Sequence, residues 1–186
     1  MSTRYTERKA LNERTTLQSQ TKNKDRWIEG FYCCRKETTY CFKEEYEKFP
    51  VKTLHYIIRD EMTDWGLPNE FRFYEIDLDT LCVFTGMTDK NGNKIWENDI
   101  LLQKTAKNHW CQWKCIGVVK YGEHDWDESN YGYTSIGFYI EPIARKGDTV
   151  RIACGLNQVD INNESYPIEV IGNIFDNPEL LKIERN

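Results

Sequence analysis

The residues best equipped for chemistry in this chain are its three histidines and seven cysteines. They come together once, as His109-x-Cys111-x3-Cys115 with His124 nine residues later. Imidazole nitrogens and thiolates are the ligands zinc prefers. On one strand, however, Cys111 and Cys115 stand roughly 13 Å apart at ~3.3 Å per residue, too far for one ion unless the strand bulges. Cys33, Cys34 and Cys41 add thiols but no CxxC knuckle. The reading preferred over zinc is a set of reduced thiols packed as small hydrophobes, with no metal and no other cofactor. Seven is also an odd number, which rules out a framework pairing every cysteine.

A second constellation is the acidic run Glu123-His124-Asp125-Trp126-Asp127-Glu128, inside a loop expected from Gly122 to Gly132. Such a run can attract a divalent cation or mimic a phosphate backbone. It lacks the glycine and the terminal bidentate Glu of an EF-hand loop. A solvated loop accounts for the acids but not for Trp126, since an exposed Trp is a common interface anchor. Glu123, Asp125, Trp126, Asp127 and Glu128 are therefore candidate partner-binding residues, together with Arg4, Arg8 and Arg14 of the basic N-terminal arm. Catalytic arrangements are missing: there is no GxSxG elbow, no HExxH and no Walker loop. Asp99 reads as a bend-former whose side chain bonds nearby backbone N–H groups, rather than as an acid–base catalyst.

The elements that position these residues centre on Leu81–Leu102, LCVFTGMTDKNGNKIWENDILL. Val83, Phe84 and Thr85 suit a pleated strand. Asp89-Lys90-Asn91-Gly92 supplies a turn, because Asp accepts from N–H groups just ahead of it and Asn-Gly tolerates positive φ. Ile95-Trp96 resumes the strand. Glu97-Asn98-Asp99 bends the chain again before Ile100-Leu101-Leu102.

Around this centre the pattern predicts strands at Trp27–Tyr32, Lys52–Arg59, Phe71–Ile76, Ser135–Pro142, Val150–Ala153, Val159–Ile161 and Ile168–Ile174, and a long one at Trp110–Tyr121 with Gly117-Val118-Val119 its most buried part. A hairpin turning near Glu37-Thr38 would set Cys34 across from Cys41. Phe42, Tyr46 and Phe49 at helical spacing predict a helix that Pro50 ends. Asp176-Asn177-Pro178-Glu179 predicts a capped helix start, running to about Ile183. The fold class is mainly β with minor helices: a small SH3-like barrel or curled antiparallel sheet over 80–186, a β-rich elaboration over 26–79, and a basic polar arm over 1–25. That arm has too few aliphatic residues to bury a core, and a helix from Thr6 to Gln18 is conceivable on a partner.

Several anchors together resemble the YopX-like family of bacteriophage and prophage proteins. They are Phe84-Thr85-Gly86, Asp89-Lys90-Asn91-Gly92, Ile95-Trp96-Glu97 and Asp99-Ile100. Trp27–Tyr32, Gly137-Phe138-Tyr139, Ile168–Phe175 and Asn177–Leu181 follow in matching order. The resemblance spans roughly Arg26 to Ile183, with Asn98 where the family usually has Gly. It implies a compact β-rich domain and carries over no catalytic residues.

The net charge of −5 divides unevenly, +4 over residues 1–26 and −9 over the remainder. A basic arm thus precedes an acidic body. No run of 18 apolar residues and no secretory h-region occurs, so a cytosolic protein is expected. Two function classes remain. The first is a phage-encoded, non-enzymatic protein-binding module acting on a host or phage protein complex, for instance a counter-defence inhibitor of a nucleic-acid-dependent enzyme such as a CRISPR nuclease. An acidic body suits a groove that presents Lys and Arg. The second is a nucleic-acid-binding β-barrel, which the charge of the body opposes.

Overall fold

A computed structural model describes residues 16–37, 42–48, 51–104, 114–125, 134–143, 154–156, 161, 164 and 167–182. The chain divides into two units, residues 1–83 and 84–186.

The first unit is built on strands β1 (Leu17–Gln20), β2 (Trp27–Lys36), β3 (Thr53–Glu61) and β4 (Glu70–Glu75). They are antiparallel in the order β4-β3-β2-β1, and the start of β5 (Cys82–Thr88) pairs outside β1 through Leu17↔Val83. Alternation sorts the side chains. Ile28, Ile57 and Ile76 are buried on one face, with Tyr32, Tyr74 and Leu81 packed against them.

Two expectations change here. The sequence LQSQ has no apolar alternation, yet β1 is a strand within the sheet, so the helix does not extend to Leu17 and Gln18. Its buried Ser19 is satisfied by tertiary partners: its hydroxyl donates to the Asp77 carbonyl at 2.9 Å and meets the Thr80 hydroxyl at 2.8 Å. The Thr80 hydroxyl also accepts from the Gln20 amide at 2.9 Å. β2 also runs past the expected Tyr32 to Lys36 and pairs with β3, so Cys34 faces His55 across that pair. Thr38 and Cys41, on which the expected hairpin depends, lie outside the described residues. The connection carries a short helix α1 (Lys43–Lys48), within the predicted span of Phe42 to Phe49.

In the second unit the rest of β5 pairs with β6 (Lys94–Trp96) through Phe84↔Trp96 and Thr88↔Lys94. A separate antiparallel sheet has the order β10-β9-β8-β7-β11. Its strands are β7 (Asp99–Lys104), β8 (Lys114–Asp125), β9 (Thr134–Pro142), β10 (Cys154–Gly155) and β11 (Ile168–Asn173). Ile95, Leu101, Val119, Ile140, Ile161 and Ile168 form one core cluster. Ile100, Ile116 and Val118 form another, joined by Leu180 and Leu181. Burial on both faces explains why Ile100-Leu101-Leu102 and Ile116–Val119 read as continuous apolar runs. Neither sheet closes into a barrel among the described residues; the mainly β fold is two antiparallel sheets.

Other boundaries also move. β8 runs through Gly122–Asp125 because β9 pairs with it as far as Asp125↔Thr134, so the expected loop begins later. Ile161 is helical and buried rather than part of a strand. The last helix is a 3-10 turn, Pro178–Leu181. Asn177 gives it no side-chain cap; instead the Asn173 side chain accepts from the Phe175 and Asp176 amides, each at 2.9 Å. Residues Val150–Ala153 lie outside the described residues. No described helix is long and apolar enough to cross a membrane.

The β5–β6 turn yields a first prediction. Gly92 has φ of 82°. Gly92→Val forces a β-branched residue into that region and is expected to cost more than about 1 kcal/mol. An unchanged thermal melt would show that the turn does not need glycine.

Candidate partner-binding surface

The central turn is locked from within. Asp89 is buried, and its Oδ1 accepts from the Asn91 and Asn93 amides at 2.8 and 2.9 Å. Its Oδ2 accepts from the Asn93 side-chain amide and from the Val170 amide, both at 3.1 Å. Lys90 N donates to the Ile168 carbonyl at 3.3 Å. The turn is therefore stapled to β11, chiefly through the buried Asp89 carboxylate. Burial pulls the Asp89 carboxyl upward, but the bonds from Val170, Asn93 and Asn91 outweigh it and hold it below the usual carboxylate range.

The next bend is also structural. Asn98 sits at φ of 70°, where Asn is the best substitute for Gly. Its amide donates to the Val119 carbonyl at 2.8 Å, and its side-chain oxygen accepts from Lys120 Nζ at 3.2 Å. Asp99 Oδ2 accepts from the Trp96 amide at 2.8 Å. Burial pushes the Asp99 carboxyl up to about 7, against the lowering effect of that single bond. Asp89, Asn91, Gly92, Asn98 and Asp99 thus serve the backbone.

The candidate acidic residues are only partly in view. Glu123 is exposed on β8, directly opposite the exposed Ile136. Asp125 ends that strand. His124, between them, points to the other side, where it is buried and stacked on Tyr139 with ring centroids 5.1 Å apart. Trp126, Asp127, Glu128, Arg4, Arg8 and Arg14 lie outside the described residues, as do His109 and Cys111. Cys33, Cys34, Cys82 and Cys115 form no disulfide. Among the described residues, no group of three or more His, Cys, Asp or Glu could hold a metal ion.

The surface that sequence reasoning passed over is in the first unit. Phe31, Ile58 and Phe73 face one another in register across β2, β3 and β4. Their side chains lie on the face opposite the Ile28–Ile57–Ile76 core. Phe31 is 58% exposed, Phe73 55% and Phe71, two residues along, 69%. Tyr56 closes the row edge-on against Phe73, with centroids 6.2 Å apart. The loop before β4 also exposes Trp65, at 89%, with Met62 and Leu67. Carboxylates border this face: Asp60 is opposite Phe71, and Glu75, opposite Tyr56, is ion-paired with Lys22. The signal lay in the alternation of Phe71 and Phe73 with Arg72 and Tyr74, which predicts two faces but not which one is covered.

Comparison with known proteins places the chain further. The family profile described as YopX protein matches residues 5–182. No curated protein matches. Among solved structures, the chain is similar to the crystal structure of protein EF1440 from Enterococcus faecalis. Identity is 17% and the TM-score 0.43, over 90% of this chain and 98% of that one.

Proposed function

The chain belongs to the YopX family, and from that premise we propose that it is a phage-encoded, non-enzymatic protein-binding module of the host cytoplasm. Its partner is a host or phage protein complex, and its role is counter-defence: blocking a nucleic-acid-dependent enzyme of the CRISPR type. The observation that carries the binding reading is the aromatic face. Phe31, Phe71, Phe73 and Trp65 stand in water, although large exposed apolar patches are uncommon on proteins that work alone. The net charge of the body suits a partner rich in Lys and Arg.

A specific feature also favours a second reading. An aromatic sheet face is the platform on which single-stranded nucleic acids stack. Asp60 and the acidic body oppose it, because phosphates would be repelled.

Affinity capture from cells carrying a defence system, with and without infection, tests the first reading. The expected result is a defined protein complex whose capture falls as salt rises, since surface attraction is screened beyond about 10 Å at 0.1 M. Neutralising Glu123, Asp125, Asp127 and Glu128 together is expected to slow association more than it speeds dissociation, as rim charges mostly steer. Trp126→Ala should instead speed dissociation. Tight, salt-sensitive gel shifts of bare DNA or RNA would overturn the reading in favour of the second.

A further inference from the structure

We infer that the outer edge of β4 is a docking site for an extended strand of a partner protein, one that alternates apolar with cationic residues. The inference rests on the protein-binding reading and names its mode.

The outermost described strands differ in how they are protected. β10 is two residues long and β6 three. The pairing of β6 with β5 also shifts register between Phe84 and Thr88. β11 carries a bulge between Val170 and Gly172. Shortness and bulges are the devices by which proteins stop a sheet edge from recruiting another strand. β4 has neither. It is six residues long, its register with β3 is unbroken from Glu70 to Glu75, and it contains no Pro and no Lys. From Glu70 to Tyr74 no described strand pairs with its outer side; only at its end does Lys22 N donate to the outward Glu75 carbonyl, at 2.9 Å, beside the Thr21↔Ile76 bridge.

The two faces of this edge specify the incoming chain. On one side Phe71 and Phe73 continue the row that begins at Phe31 and Ile58, so an added strand would lay apolar side chains beside exposed aromatic rings. On the other side Glu70 stands directly across from Glu61. Glu61 is engaged by Arg72, at 3.4 Å, and by Arg59, at 3.9 Å, while Glu70 has no cation among the described residues. A Lys or Arg on the alternate side of the incoming strand would meet Glu70 and relieve the like-charge pair. Main-chain bonds would supply affinity, and the alternation would supply specificity.

The test uses the full chain and a fluorescein-labelled peptide of about ten residues alternating isoleucine with lysine. Anisotropy is expected to show binding that weakens at least about tenfold with Phe71→Ser/Phe73→Ser, at an unchanged thermal midpoint. Replacing every second isoleucine by proline, or every lysine by glutamate, is expected to abolish it. If the double variant fails to fold, Phe71→Lys, at a more exposed position, takes its place. Absence of binding to the wild-type chain, equal binding by the variant, or equal binding of the proline peptide would overturn the inference. So would sedimentation showing that a second copy occupies the edge, with Phe71→Lys releasing monomers. A complex captured from cells as well by the variant as by the wild type would sink strand addition alone. Failure of the wild-type chain to capture any complex would sink the protein-binding reading itself.

Discussion

Asp89→Ala is expected to destabilise the protein by about 3–4 kcal/mol, more than any surface change. One carboxylate answers four donors: the Asn91 and Asn93 amides, the Asn93 side chain and the Val170 amide. Each bond to a charged acceptor is worth about 1.5–3 kcal/mol net, and removing the acceptor strands donors that the fold has taken from water. The four are not additive, since they share one group. Chemical denaturation measures the loss, and faster exchange of the Val170 amide would locate it at the staple to β11. A loss below about 1 kcal/mol would mean that water replaces the carboxylate without difficulty. The pH dependence has a definite sign. The folded value is depressed, so this stabilisation is present above the unfolded value of about 3.9 and is lost as pH falls through the folded one. Wild type and variant should therefore converge in acid.

The second large effect has the opposite sign. Asp99 is buried with one bond from the Trp96 amide, and burial raises its carboxyl to about 7. A raised folded value means that the stabilising contribution is full below about pH 4 and is lost as pH climbs towards about 7. At about 1.4 kcal/mol per pH unit, the loss across that window is on the order of 4 kcal/mol. Asp99→Asn keeps an oxygen for the Trp96 amide and removes the ionisation. It should match the wild type near pH 4 and exceed it near pH 8 by several kcal/mol on that scale. Denaturation midpoints of both proteins at the two pH values decide it. A gap that does not change with pH would show that Asp99 is not the titrating group.

Short-range chemistry made part of the fold legible in the chain. Asp89-Lys90-Asn91-Gly92 reverses the chain because Asp bonding and a Gly with positive φ are properties of neighbouring residues, and both are found there. The alternating strands Phe71–Ile76 and Ser135–Pro142, and the doubly buried run at Gly117-Val118-Val119, were legible for the same reason. Pleat and burial leave a period in the chain.

Tertiary structure decided the rest. LQSQ became a strand because Asp77 and Thr80, about 60 residues away, satisfy the buried Ser19 hydroxyl. No local pattern announces such a partner. Cys34 stands opposite His55 because β2 runs on to Lys36 beside β3, a partner about twenty residues away in the chain. The surface of greatest interest was hidden in the same way. The pattern Phe71-Arg72-Phe73-Tyr74 says that two faces exist, while only packing decides that Tyr74 joins the core and that Phe71 and Phe73 meet water. Exposure is a property of the assembled sheet, set by what lies across from each residue and not by what lies beside it in the chain.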